Sequence, residues 1–328
     1  MTASVDEIAD RAAELTRMRV PYVHARVVLA QRPTSAKPGD QALVLPDGSM
    51  EGFVGGDCAE STVRAQSLAL LDSGDSLLLR ITPELESEPQ EAVAGTLSVH
   101  NPCLSGGTLE IFLEPRRPPP LVVVEGDTPI ARALLAIGRP LGYELVRHSG
   151  SLPDDVAAVV VASHGRDEAD LLRAAVAAQV PYIGLVASPK RGSAVVASLD
   201  LEDQPVSAIH TPAGLDIGAR TPEEIALSIL ADIVARRPRP TGRTALLDAS
   251  SGAVVGHAPV ASQASDPVCG MTVAAVDSSL HLDHDGTRFY FCGSGCLRAF
   301  AADPAGFGVA VSAEADGSAA DAETTPAR

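Results

Sequence analysis

The chain has 328 residues, 45% of them hydrophobic, and a formal net charge of −17. That length holds two ordinary domains and a small one, while apolar runs of only strand length exclude a membrane-spanning helix. An acidic balance without clustered Lys or Arg excludes a nucleic-acid backbone as partner, and 3% aromatics with no Trp exclude base-stacking platforms.

The first segment, MTASVDEIADRAAEL, reads as an amphipathic helix. Ser4 and Glu7 make a capping box, and Val5, Ile8, Ala12 and Leu15 share one face. The segment is acidic and has no apolar stretch of the signal-peptide kind, so the expected location is the cytoplasm. Residues 20–116 then read as mixed β with one helix. Val23–Ala30, Gln41–Leu45 and Met50–Val54 are strands, with Asp47-Gly48 as a tight turn. Ala59–Leu71 has helical spacing, and strands follow near Ser76–Ile81 and Thr108–Glu114. The run PRRPPP, Pro115 to Pro120, is a stiff extended segment that marks a domain boundary.

Beyond it strands and helices alternate. LVVVE, YELVR, VAAVVVA and PYIGLV are short buried strands, and Thr128-Pro129 opens a helix as cap and first-turn proline. DEADLLRAAVAAQ is a crossover helix, and Pro222–Arg236 is a last helix announced by Thr221 and Glu224. This pattern predicts a parallel sheet with helices on both faces. The apolar stripe of Ile225, Ile229, Leu230 and Ile233 packs either inside its domain or across a homodimer. Residues 239–265, rich in Ala, Ser, Gly and Pro, are expected to be a flexible linker, and the acidic end, residues 309–328, a disordered tail.

Three motifs before that linker carry chemistry. In GFVGGDCAE a strand ends in Gly55-Gly56, and Asp57, Cys58 and Glu60 follow as a helix begins. Glycines let a ligand approach the backbone, a helix start offers free N–H groups to an anion, and its dipole favours a thiolate at Cys58. A tight turn holding an inert cysteine is the bland alternative. NPCLSGGTLEIFLEP repeats the logic with Cys103, Ser105, Gly106 and Gly107, so the two glycine pairs suggest a shared pocket or two structural thiols. In IHTPAGLDIGARTPEE a strand ends at His210, and a glycine-flanked loop carries Asp216 where open α/β sheets bind ligands.

The last fifth of the chain holds DPVCGMTV and, after an Asp285-Gly286 hairpin turn, RFYFCGSGCLRAF. Cys269, Cys292 and Cys296 lie within this short stretch, two of them spaced C-x3-C. Thiols so gathered bind a soft or borderline metal, with zinc, iron and copper all admitted. Closed sites usually take four ligands, and His281 or His284 is the expected fourth unless the site is open or shared.

DPVCGM, the aromatic-aromatic-Phe-Cys core and the following cysteine resemble the YHS domain, a small metal-associated module of the TRASH-like group, over residues 266–308. GFVGGDCAE, SGGTLEIFLEP, PYIGLVASPKRGSAVV and HTPAGLDIGARTPEEIALSILA resemble the XdhC/CoxI family over about residues 20–237. These proteins assist molybdenum hydroxylases such as xanthine dehydrogenase and carbon monoxide dehydrogenase. The resemblance implies an α/β chain in three parts. A mixed α/β N-terminal domain (residues 1–117) and a Rossmann-like domain (118–238) precede the YHS-like module. It further implies a chaperone that binds molybdenum cofactor transiently, assists its sulfuration and delivers it to an apo-enzyme, with a cysteine desulfurase as a second partner. The residues it points to are Gly55, Gly56, Cys58, Glu60, Cys103, Ser105, Gly106, Gly107, His210 and Asp216. The first turn of the Rossmann-like part departs from the dinucleotide pattern. It reads EGDTPIA, with Gly126 alone and Asp127 placed to repel a pyrophosphate, so no NAD is expected. Two other readings stay open: a metal sensor or metal-delivery protein working through the last module, and a thiol- or nucleotide-dependent oxidoreductase.

Overall fold

A computed structural model of the protein describes residues 4–83, 93–100, 107–163, 165, 168–199, 201, 208–237 and 263–307. They fall into two compact units, Met1–Arg117 with Gly242–Arg328, and Pro118–Thr241.

In the first unit α1 (Val5–Arg17) is started by the Ser4 and Glu7 capping box, both bonds present. It precedes β1 (Tyr22–Ala30), β2 (Gln41–Val44), β3 (Met50–Gly52), α2 (Asp57–Ser73), β4 (Leu77–Thr82), β5 (Thr96–His100) and β6 (Leu109–Arg116). The strands form one sheet in the order β3-β2-β1-β6-β4-β5, antiparallel except for the β4–β5 pair. Strand alternation sorts the side chains between two faces. Val23, Ala25 and Val27 of β1 and Ala42 and Val44 of β2 pack with Ala59, Val63 and Leu70 of α2. Leu43, between the two β2 residues, turns the other way and meets Ile8 and Leu15 of α1. Helix α2 is thus fastened along one face of the sheet, with its first turn at the end of β3.

The same unit contains the chain's last segment. Strand β12 (Gln263–Ser265) pairs antiparallel with β13 (Thr272–Ala274), and β14 (His281–His284) with β15 (Thr287–Tyr290). Asp285 and Gly286 both have positive φ, as a two-residue hairpin of this kind requires. Helix α7 (Ser294–Ala302) buries Phe300 against the rings of Phe289, Phe291 and Phe307. Residues 263–265, read above as linker, are strand because Ala264 sits opposite Val273 in the β12–β13 ladder. Strand β13 packs on α2, which brings this segment to the helix's first turns.

The second unit runs β7 (Leu121–Glu125), α3 (Pro129–Ile137), β8 (Glu144–Arg147), β9 (Val156–Val161), α4 (Glu168–Ala177), β10 (Ile183–Leu185), α5 (Pro189–Ala197), β11 (Ile209–His210) and α6 (Pro222–Arg236). Its sheet has the order β11-β10-β9-β7-β8, and every pair is parallel. Both faces are covered, as buried parallel sheets demand. Val122 and Val124 of β7 face Leu134 of α3 and Ile229 and Leu230 of α6, while Val123 faces the side of Leu171, Leu172 and Val176 of α4. The apolar stripe of α6 therefore packs inside the unit. Asp232 on that helix is 2% exposed, and its carboxylate accepts bonds from the Tyr182 hydroxyl (3.0 Å) and Arg236 Nε (2.7 Å). Burial and the neighbouring Asp232 carboxylate push the Tyr182 phenol well above its ordinary range, so it stays a donor.

Tyr182→Phe leaves a buried carboxylate oxygen short of its partner. The expected cost is about 1–3 kcal/mol, read as a lower urea midpoint at unchanged slope, with no new cavity to confuse the comparison.

Candidate functional site

Four cysteine thiols meet where α2 and α7 begin. The chain reaches α2 through Gly55, at φ +146° with an imagined Cβ 2.9 Å from the Ala59 methyl, and through Gly56, the helix cap. Cys58 is thereby placed in the first turn, and its Sγ lies 4.0 Å from Cys292 Sγ. Cys292 in turn lies 3.5 Å from Cys269 and 3.7 Å from Cys296. Cys292 is 3% exposed, Cys269 is exposed, and the other two are half-buried. Cys292 and Cys296 are four residues apart across the start of α7, a spacing that turns both toward one side.

Asp266 organises this group. It is 1% exposed, its Oδ1 accepts the Val268 N–H (2.9 Å), and its Oδ2 accepts the Cys292 N–H (2.8 Å). The Gly270 N–H also bonds the Asp266 carbonyl at 2.8 Å, which closes the turn carrying Cys269. One carboxylate therefore ties the Cys269 turn to the Cys292 strand end. Ligand atoms of Asp266, Cys269, Cys292 and Cys296 all lie within 4.8 Å of one another. Thiolate sulfurs bound to one zinc sit about 3.8 Å apart, given a Zn–S bond of about 2.3 Å. The two separations from Cys292, 3.5 and 3.7 Å, match that spacing, so the donor set suits a tetrahedral soft or borderline metal. The neighbouring Cys58 thiol, then burial, drive the Cys292 thiol far above its usual range, and burial pushes Cys296 up to about 12. Without a cation these groups keep their protons, and a bound cation reverses that balance.

Neither histidine expected as a fourth ligand belongs to the group. The His281 ring bonds the Ser279 carbonyl through Nδ1 (2.8 Å) and leans on Tyr290, and His284 sets its ring edge-on to Phe300. Both lie on β14, with their rings against Tyr290 and Phe300. Sequence reasoning missed Asp266, whose signal was its place at the head of the DPVCG turn, an aspartate able to bond the backbone two residues on.

The segment bearing the cysteines is pinned to the sheet by polar contacts. Asp57 Oδ2 accepts the Ser294 N–H at 3.1 Å, so a carboxylate from α2 caps α7. That bond holds the Asp57 carboxyl below the usual carboxylate range. The Ser278 hydroxyl donates to the Asp47 carbonyl (2.9 Å) in the β2–β3 turn, and Arg64 Nε bonds the next carbonyl, Gly48, at 2.7 Å. Glu60, the remaining polar residue of the motif, is raised in pKa by burial and lies near Arg64, outside the thiol group.

Cys103, Ser105 and Gly106 lie outside the described residues. Gly107 is described, and an added Cβ would stand 2.2 Å from the Pro33 carbonyl oxygen, so its role is close backbone approach to residues 31–33. His210 and Asp216 belong to the second unit. His210 stacks on Tyr182 with ring centroids 4.9 Å apart, and burial, then Arg236, lower its pKa. Asp216 lines a cavity of about 690 Å³ beyond the ends of β10 and β11, with Ser188, Arg191 and Leu215. Arg191 is held there by the buried Glu168 (2.5 Å). At the first turn of this unit, Asp127 pairs with Arg147 (2.9 Å) and Arg132 (3.2 Å).

Comparison with known proteins bears on both units. The sequence model of the XdhC and CoxI family matches residues 15–82, that of the XdhC Rossmann domain residues 122–233, and that of the YHS domain residues 264–308. The chain is 25% identical over 260 residues to the uncharacterised protein YqeB of Escherichia coli (strain K12), covering 69% of this chain and 46% of that protein. It is 35% identical over 83 residues to a probable xanthine dehydrogenase subunit of Bacillus subtilis (strain 168), covering 25% of this chain and 24% of that protein. The chain thus spans less than half the length of the curated relatives it matches. A solved xanthine dehydrogenase structure from Bacillus halodurans aligns with 71% of this chain and 97% of its own, at 14% identity and a TM-score of 0.33. No helix among the described residues is long and apolar enough to cross a membrane.

Asp57→Ala removes the cap on α7, and exchange of the Ser294 amide with deuterium is expected to quicken about fivefold, the equivalent of about 1 kcal/mol. Because the folded Asp57 pKa is lowered, this bond contributes above the unfolded value of about 3.9 and is lost as pH falls through the folded one. Amide protection at Ser294 is therefore expected to drop on acidification below about pH 4 in the native chain and to be pH-independent there in the variant.

Proposed function

With an XdhC and CoxI segment, an XdhC Rossmann domain and a YHS domain in one chain, we propose that it is a maturation factor for a molybdenum hydroxylase. In this reading it takes up molybdenum cofactor, shelters it through sulfuration and passes it to an apo-enzyme of the xanthine dehydrogenase or carbon monoxide dehydrogenase type. It works in the cytoplasm, with a cysteine desulfurase as sulfur donor. The observation that carries the reading is the succession of the two XdhC matches over residues 15–82 and 122–233.

The chemistry of the first unit supports it. Cys58 stands in the first turn of α2 behind Gly55 and Gly56, where the helix N-terminus supplies free N–H groups and a positive dipole end. A thiolate there suits a soft metal centre or a transferable sulfur. In the second unit, Ser188 and Arg191 offer a hydroxyl and a guanidinium to an anionic group in the cavity lined by Asp216. Apart from the Cys58 sulfur, the chain's own residues in this reading bind, orient and exclude water.

The test is anaerobic and uses metal-free full-length protein. Freshly released cofactor is added, the mixture is desalted, and retained molybdenum and pterin are measured. Near-stoichiometric retention is expected, falling at least about tenfold in affinity, about 1.4 kcal/mol, in Cys58→Ala. Absence of retained pterin in the native chain would reject the reading.

A further inference from the structure

Cys292 and the three thiols around it come from two parts of the chain that sequence places far apart, and their spacing has a chemical meaning. A tetrahedral metal with four sulfur ligands puts each sulfur about 3.8 Å from the other three. Cys292 Sγ stands 3.5, 3.7 and 4.0 Å from Cys269, Cys296 and Cys58, values that straddle that edge length. Three of the six edges of such a tetrahedron, those meeting at Cys292, therefore have the required length, while Cys58 stands outside the set of donor atoms that all lie within 4.8 Å of one another.

The rival for the fourth position is Asp266, whose oxygens also lie near the three C-terminal thiols. Both of its oxygens already accept backbone N–H groups, from Val268 and Cys292, and the side chain is fully buried. Coordination by either oxygen would compete with a bond that shapes the cysteine turns. Cys58 meets the C-terminal segment through its sulfur beside Cys292, and the backbone is arranged to let it approach. At Gly293, next to Cys292, an added Cβ would come within 3.4 Å of Cys58 Sγ and 3.3 Å of Asp57 Cβ, tighter than or at the limit of ordinary contact. Asp57 then fixes the two helix starts together through Ser294. Met271, Val273 and Tyr290 close an apolar wall around the group.

We propose that Cys58 is the fourth ligand of a four-thiolate site for a divalent ion of the zinc kind, shared with Cys269, Cys292 and Cys296. Binding releases the thiol protons to solvent as four sulfur–metal bonds form, with no change of oxidation state. Occupancy therefore withdraws the Cys58 thiolate from any other ligand, and the last segment of the chain acts as a metal-dependent block on it. This regulatory consequence rests on the role given to Cys58 under Proposed function; the ligand set does not.

The experiment uses the full chain, stripped of metal under reducing conditions, as native protein and as Cys58→Ser. Each is titrated with Co2+ and, by chelator competition, with Zn2+, and far-ultraviolet circular dichroism confirms that both are folded. One equivalent of Co2+ with a tetrahedral thiolate spectrum is expected, with sulfur-to-cobalt charge-transfer intensity lower by about a quarter in the variant. Zn2+ affinity is expected to fall more than about tenfold. Zn2+ is also expected to protect Cys58 of the native chain from iodoacetamide, read by peptide mass spectrometry, and removal of zinc to restore labelling. An unchanged cobalt spectrum and zinc affinity in Cys58→Ser, undiminished labelling of Cys58 in the zinc-loaded chain, or no metal binding at all would each overturn the proposal. Cofactor retention by the metal-free native chain is scored separately, so failure of the maturation reading and failure of the shared site give different results.

Discussion

The bond on which the thiol cluster depends is the one from the Ser294 N–H to the Asp57 carboxylate, at 3.1 Å. It joins the first turns of two helices whose sequence separation is 237 residues. Loop closure over such a length costs entropy that grows only slowly with length, but it has to be met by contacts at the junction. The structure supplies them in layers: the Asp57 cap, the Ser278–Asp47 bond at the β2–β3 turn, and the apolar cluster of Met271, Val273 and Cys292. Each is modest alone. Together they turn a C-terminal knuckle into part of the N-terminal sheet's surface.

What the sequence disclosed was what is local. The caps at Ser4, Thr128 and Thr221, the Asp47-Gly48 and Asp285-Gly286 turns, and the continuous apolar runs of β7 and β9 were all legible, because each is decided within four or five residues. Strand β5 was not, since its exposed and half-buried residues alternate weakly and its partner β4 lies across a parallel pairing. Helix α5 was passed over although Ser188 and Pro189 signal its start. Strand β12 is three residues long and exists only because β13 pairs with it. In the site, the three C-terminal cysteines were found by their spacing, whereas the meeting of Cys58 with Cys292 could not be, because no periodicity spans 234 residues. Proximity in sequence makes one of the β14 histidines a candidate fourth ligand beside an open or shared site, and the hairpin's geometry sets both rings against aromatic side chains instead.

The two units solve the problem of buried charge differently. In the second, Asp232 is taken out of water on α6 and satisfied by Tyr182 and Arg236, and Glu168 is buried to hold Arg191 in the cavity wall. Charges are spent there on placing side chains within a parallel sheet's own layers. In the first unit Asp266 does the corresponding work on backbone N–H groups alone. A carboxylate satisfied by backbone amides fixes loop shape more tightly than one bonded to flexible side chains, and loop shape is what a cluster of sulfurs requires.

Synthesis proceeds from the N-terminus, and domains fold as they emerge. The six strands of the first sheet and helix α2 are complete by Arg116, and the parallel sheet of the second unit by His210. Cys292, Ser294 and Cys296 follow later in the chain. The Cys58 thiol and the Asp57 carboxylate on α2 are thus made well before Cys292 and Ser294, the groups that meet them in the folded chain. The order in which the residues are made thus separates the two halves of that contact in time.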